Sequence, residues 1–373
     1  MRRSPMQFGV LLVTLACGSS SRELSPIVLD PLPAVGEVDG VGAIASWPRI
    51  SPRHPLGYRV MVPQAGASVE LPKVYGDDGR YLGSLGETGD GPGQFIEPLF
   101  SRVGPGDSLW LFDGSARASV FTPERVFVRA IALPVAPWDA AVLPDGRLVI
   151  AAATSGAPLP LLLLNGEGAV IRYIGTPLPD EPLGAMRRIV LARDATIWTV
   201  PMLGSWRIEH WDTTGANLGA LERTPEWFTP YQRYQAPAPG IAPQPTLQGA
   251  WFDDLDRLWV LGKAVDPDWE KGIDTLDARG GESGRSVISD PDRVYDTMIE
   301  VIDLQSGEAI ITARLDATWP FAAEPGVLMR VATSRDGAHF AELVRVREKD
   351  RKREREKERR RMEHPTSPLP THD

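Results

Sequence analysis

The sequence predicts an all-β fold assembled from repeated four-stranded antiparallel sheets, and three observations carry that prediction. Glycine and proline number 36 and 35 among 373 residues, a composition suited to many turns between short strands. A Gly-rich segment occurs twice, as VGEVDGVGAIASWP from Val35 to Pro48 and LGETGDGPGQFIEP from Leu85 to Pro98. Both read apolar-Gly-Glu, then Asp-Gly-x-Gly, then a short apolar piece and proline. They stand about 50 residues apart, the spacing of a repeat array. Third, short apolar runs recur along the chain, most of them directly after a tight turn.

The N-terminus comes first. Arg2 and Arg3 precede an apolar run from Phe8 to Ala16, followed by the only cysteine, Cys17. The run is too short to span a bilayer and reads as a secretory signal. Thr14-Leu15-Ala16-Cys17 resembles a bacterial lipobox, so residues 1–17 are expected to be a lipoprotein signal with Cys17 lipidated. Gly18 points to the outer membrane, and residues 18–24 form a tether. Ordinary cleavage after Ala16, giving a secreted protein with a free thiol, is the alternative. One cysteine excludes a disulfide framework within the chain.

The Gly-rich stretch from Tyr75 to Pro98 is not a phosphate loop. Its order is Gly86-x-x-Gly89-x-Gly91-x-Gly93, Pro92 removes a backbone donor, and no helical pattern follows. It reads instead as a joint between repeated units.

The strands follow from the apolar runs GYRVMV (from Gly57), SLWLFD (Ser108), RLVIAA (Arg147), TIWTVP (Thr196), RLWVLG (Arg257) and VLMRVA (Val327). The last five follow turns such as Pro144-Asp145-Gly146 and Glu324-Pro325-Gly326. Further hairpin signals come later in the units, at Asp77-Asp78-Gly79, Asn165 to Gly168, Thr214-Gly215-Ala216 and Gln305-Ser306-Gly307. Strand, turn, strand, gap, strand, turn, strand makes one antiparallel blade. Six units are counted, and the sixth lacks an outer strand. Ser25 to Val35 has no other partner and is expected to complete it, which removes two sheet edges.

With its Asp-Gly-x-Gly joints and Asp-Gly hairpins, the chain resembles the six-bladed β-propeller lipoproteins of bacteria, relatives of NHL-repeat and TolB-like propellers. The resemblance covers residues 25–346. It is strongest from Tyr75 to Asp113 and weakest from Thr224 to Asp296. It implies a six-bladed propeller closed by its N-terminal strand.

The C-terminal segment, 347–373, continues a charged run. Arg345 to Arg361 holds 11 Lys or Arg and 5 Asp or Glu, with Val346 the only apolar residue, so it reads as a solvated helix or disorder. Residues 18 to 344 carry 27 basic against 42 acidic residues, net −15. Such an acidic body argues against a nucleic-acid partner.

In a four-stranded blade the middle hairpin and the interblade connector share one face. That face receives the Gly-rich joints, the Pro-rich connector Thr224 to Pro245 and an insertion from Asp266 to Asp296, so it is expected to be the working face. The insertion is mostly polar, with Trp269, Ile273, Leu276, Val287 and Ile288 scattered along it. Trp269 is a candidate anchor for a partner. Trp47, Trp138, Trp251 and Trp319 lie near the start of inner strands with Arg102, Arg187 and Arg188, and suit binding of a sugar ring, an aromatic group or a carboxylate. Packing between blades and pairing with the acidic body is the competing reading for these residues.

No catalytic residues and no metal or other cofactor are expected. Propeller lactonases hold metal with carboxylates and asparagines, whereas Asn165 and Asn217 are the only asparagines and stand in hairpins. His54, His210 and His339 fall in different strand environments, and no Gly-x-Ser-x-Gly elbow marks a nucleophile. The expectation is a monomeric, membrane-anchored, non-enzymatic protein of the cell envelope, binding a protein, peptide or glycan at its loop-rich face. A lactonase-like hydrolase or lyase with a cryptic metal site is the alternative.

Overall fold

A computed structural model describes residues 27–36, 48–63, 70–152, 159–176, 186–276, 285–333 and 339–349. It shows six four-stranded antiparallel sheets, the blades of a propeller. The first blade contains Arg49–Ile50, Tyr58–Val62, Lys73–Gly76 and Tyr81–Ser84 from the axis outward. The second contains Pro98–Val103, Leu109–Asp113, Arg117–Phe121 and Phe127–Ala132. The third contains Pro137–Val142, Leu148–Ala152, Leu161–Leu164 and Val170–Ile174. The fourth contains Arg187–Leu191, Ile197–Pro201, Arg207–Trp211 and Asn217–Glu222. The fifth contains Thr246–Phe252, Leu258–Val265, Tyr295–Ile302 and Ala309–Leu315.

The sixth blade is completed from the other end of the chain. Phe321–Glu324, Val327–Thr333 and His339–Glu348 are joined on the outside by Ile27–Pro31. The pairing runs from Ile27 opposite Glu348 to Pro31 opposite Val344. It is extended by the exchange of two backbone hydrogen bonds between Val35 and Ala341, 2.9 and 2.8 Å. The expected closure is therefore present. The last strand also reaches two residues past Val346, because Arg347 and Glu348 pair with Val28 and Ile27 of the closing strand, and Arg347 adds an ion pair with Asp30.

Second strands of the first four blades are buried along their whole length, as in LWLFD, LVIAA and IWTVP. Each lies between two neighbouring blades, so both faces are apolar and the sequence shows a run rather than an alternation. Outer strands such as Val170–Ile174 are largely exposed. Recurring Asp and Asn residues set the hairpins through Asx turns. Asp145, Asn165, Asp194, Asp212, Asp253 and Asp303 each accept the backbone N–H two residues onward.

Two glycines are required by close approach. A Cβ on Gly79 would stand 2.0 Å from the Ala34 carbonyl oxygen, where the closing segment crosses the first blade's hairpin. At Gly86, in the Gly-rich joint, it would stand 2.4 Å from the Phe95 ring. Both have positive φ, +80° and +74°. The joint connects the outer strand of the first blade to the inner strand of the second, as the sequence predicts.

The insertion in the fifth blade differs from its expected scattered state. Trp269–Gly272 is a 3-10 turn, Ile273–Leu276 pairs with Arg285–Ile288, and Pro291–Val294 is a short helical turn. Ile273, Val294 and Tyr295 form a small core with Trp269 packed on it. Polar composition hides this core because only one side of the short ladder needs to be apolar.

Candidate functional site

Each inner strand begins at the loop-rich end of the central channel and finishes at the end bearing short turns. Three of the six strands contain a bulge near their start, between Pro98/Phe100, Pro137/Asp139 and Leu247/Gly249, and a fourth has one at its end, between Ala322/Glu324. A bulge re-aims the side chains that follow it. Toward the loop-rich end, Arg49, Arg102, Asp139, Arg188, Gln248 and Phe321 help line a cavity of about 120 Å³. Below it the channel widens to about 390 Å³ between Ala140, Val190, Ala250 and Ala322, reaching Pro52, Arg193 and Pro325 at the short turns.

Three guanidinium groups and one carboxylate form a collar around the smaller cavity. Asp139 is 1% exposed, and both of its oxygens are occupied. Oδ1 accepts from the Ala140 backbone at 2.9 Å and from Arg102 Nη2, while Oδ2 accepts from the Ile189 backbone at 3.0 Å. Asp139 thereby ties the second, third and fourth blades together. Arg102 also donates through Nε to the Ala140 carbonyl at 3.0 Å and through Nη1 to the Ser101 carbonyl at 2.9 Å.

The other two guanidiniums have no such answer. Arg49 donates once, from Nη1 to the Trp138 carbonyl at 2.8 Å. Arg188 makes no hydrogen bond or ion pair with any described residue. Both lie over the Trp138 ring, 4.8 and 5.8 Å from its centre, and the Trp138 Nε1–H is buried without a described partner. Burial pushes the Arg49 guanidinium down to about 9, helped by Arg188 and Arg102 and opposed by Asp139. Burial likewise lowers Arg188, opposed by Asp139 and reinforced by Arg102. At neutral pH Arg49 still carries its proton, so the collar is positive.

Unpaired guanidinium forks beside an indole face are suited to a planar anion. A carboxylate takes two parallel N–H bonds from such a fork, and the aromatic ring accepts the apolar body behind the charge.

The structure brings together three of the residues expected from sequence, Arg102, Trp138 and Arg188. It sends others elsewhere. Arg187 alternates with Arg188 and faces away from the channel, 2% exposed, toward the carboxylate of Glu209. Trp251, 4% exposed, stands near the short-turn end of its strand and stacks on Trp259 at 5.7 Å. Trp319 is buried in the cluster of the fifth and sixth blades, with the Arg330 guanidinium 4.7 Å from its ring. Trp269 belongs to the insertion's own core. Trp47 lies outside the described residues.

Arg49, Asp139 and Gln248 are the additions. A sequence signal for them exists, since Pro48, Pro98, Pro137, Pro245 and Pro320 stand at or just before the start of an inner strand. Polar residues one to three positions after those prolines include Arg49, Asp139 and Gln248.

No protein-family model matches the chain, and no curated protein matches it. Among solved structures it is similar to a Bacteroides fragilis protein provisionally described as exported, at 9% identity and a TM-score of 0.58, covering 87% of this chain and 96% of that one. It is also similar to a member of the DUF4221 family from Bacteroides vulgatus, at 8% identity and a TM-score of 0.54, covering 87% and 98%. These likenesses are of fold.

Proposed function

We propose that the chain is a membrane-anchored, non-enzymatic propeller of the cell envelope that holds a protein, peptide or glycan partner by an anionic group in its arginine collar. One observation carries the reading: Arg49 and Arg188 border a cavity whose only carboxylate among the described residues, Asp139, is already committed to Arg102 and two backbone amides. A buried charge without a counter-charge costs several kcal/mol, and a carboxylate brought by a partner offsets that cost. The collar sits at the loop-rich end of the channel, so a partner engaging the connectors meets it directly. Binding rather than catalysis is favoured because the collar offers fixed positive charge and an indole, and its one carboxylate among the described residues has no free oxygen to act as a base.

Two features support the envelope location. The N-terminal segment ends in a lipobox-like Thr14-Leu15-Ala16-Cys17, and the Bacteroides fragilis protein of like fold is described as exported. Fractionation tests the anchor, with Cys17→Ala expected to move the protein from membrane to soluble fractions.

Capture from envelope extracts tests the binding reading. The wild-type chain should retain a partner that Arg188→Gln retains at least about tenfold less well, since a buried charge-assisted contact is worth 1.4 kcal/mol or more. Equal capture by both proteins would place the binding surface away from the collar.

A further inference from the structure

Three aspartates converge at the loop-rich end of the fifth blade. Asp266 follows strand Leu258–Val265, Asp296 is the second residue of strand Tyr295–Ile302, and Asp316 follows strand Ala309–Leu315. The register places Val265 opposite Tyr295 and Thr297 opposite Leu315, which gathers the three strand ends. One carboxylate oxygen of each aspartate lies within 4.8 Å of the other two.

A second observation separates this group from an ordinary acidic surface. Asp296 is 4% exposed. Its Oδ2 is taken by Arg314, and its Oδ1 is buried with no hydrogen-bond partner among the described residues. A buried acceptor without a donor costs about 1–3 kcal/mol, more when it is charged.

Charge balance indicates what is missing. Three carboxylates face one guanidinium, and Arg314 divides its donors between Asp296 and the Val265 carbonyl, 3.0 Å away. Two basic residues of the insertion whose side chains are described are engaged elsewhere, Lys271 with Asp268 and Arg293 with Asp290. Arg330 of the sixth blade pairs with Glu342 and Asp292. Asp266 already accepts the Asp268 backbone N–H at 2.6 Å, which leaves it further acceptor capacity.

We propose that Asp266, Asp296 and Asp316 bind one divalent cation, with calcium preferred over magnesium. Calcium takes oxygen ligands at about 2.3–2.6 Å in flexible geometry, so ligand oxygens up to 4.8 Å apart fit around it. Magnesium at about 2.0–2.1 Å requires a tighter octahedron. The exposed Asp316 leaves room for water to complete the shell. The ion ties both legs of the insertion to the start of the connector that leads into the sixth blade. Three carboxylates with water resemble the weaker extracellular calcium modules, with dissociation constants of about 10⁻⁴–10⁻³ M. The proposal is independent of the arginine collar.

Calorimetric titration of the chelator-treated full chain with calcium chloride, and separately with magnesium chloride, tests it. The expected result is one calcium ion per chain in that affinity range, weaker magnesium binding and a calcium-dependent rise in the thermal midpoint. Asp316→Asn, at an exposed position where folding is secure, should weaken calcium at least about tenfold, and Asp296→Asn should abolish it. Glu308→Gln, an exposed acid in a hairpin of the same blade, should change nothing. Absence of one-to-one calcium binding would overturn the proposal. So would undiminished affinity in Asp316→Asn, or magnesium binding as tight as calcium.

Discussion

Arg59 of the first blade and Glu324 of the sixth form a two-pronged ion pair across the seam where the ring closes. Nη1 reaches Oε2 and Nη2 reaches Oε1, both at 2.8 Å, and the Arg53 backbone N–H adds a third bond to Oε2 at 2.7 Å. The two side chains are 7% and 12% exposed. The seam is therefore held by charge as well as by the strand ladder.

Removing one member of a buried pair strands the other, at a cost of about 3–5 kcal/mol. Glu324→Gln should lower stability in denaturant by about that amount, while Arg59→Met with Glu324→Met should cost less than either single change. Acid should do the same work. Burial raises the Glu324 carboxyl, but Arg59 and the Arg53 backbone outweigh it and leave the group below its ordinary value. Its contribution is thus full above the unfolded-state value near 4.3 and is lost as pH falls through the lower folded value. The acid limb of the stability profile should flatten in Glu324→Gln.

Deleting Ser25 to Val35 should destabilise the whole ring rather than fray one end. It exposes the edge of His339–Glu348 and uncovers the apolar groups packed beneath Ile27, Leu29 and Val35. A single cooperative transition displaced downward by about 10 °C or more, as a loss of several kcal/mol implies, is the expected thermal profile. An unchanged midpoint would make this segment a mere linker.

His210 should report mild acid through the fourth blade. Its ring stacks on Trp198 at 4.0 Å, and its buried Nε2 has no partner among the described residues. Burial lowers its pKa and Asp194 opposes the shift. The unfolded chain then binds the proton more readily, so stability is full above about 6.5 and declines as pH falls from there through the lower folded value. His210→Phe keeps the stacking and should remove that part of the slope in urea titrations at stepped pH.

The architecture was legible because doubly buried strands leave continuous apolar runs and their hairpins need Asp, Asn or Gly at fixed places. The inner strand Arg49–Ile50 was not, since two residues carry no periodicity. The insertion's core was also hidden, because Trp269 and Ile273 meet Val294 and Tyr295 only after the ladder forms. The collar was half legible. Trp138 and Arg188 stand out as large aromatic or polar groups at strand starts and Arg102 as an arginine near the end of its strand, whereas Arg49 belongs to a two-residue strand that no apolar run marks. Arg187 and Arg188 look alike as a pair, and strand alternation sends them to opposite sides.

The arginine collar is tested most directly by thermal unfolding of the full chain with small carboxylates at constant ionic strength. Citrate, glucuronate and a short peptide with a free C-terminal carboxylate serve as probes, with glucose and the amidated peptide as neutral controls. At least one carboxylate should raise the wild-type midpoint by about 2 °C or more, as selective binding to the folded state requires. The Arg49→Gln/Arg188→Gln double variant should show no such rise. A midpoint that moves equally in both proteins, or that no carboxylate moves beyond its neutral control, would contradict anion binding in the collar.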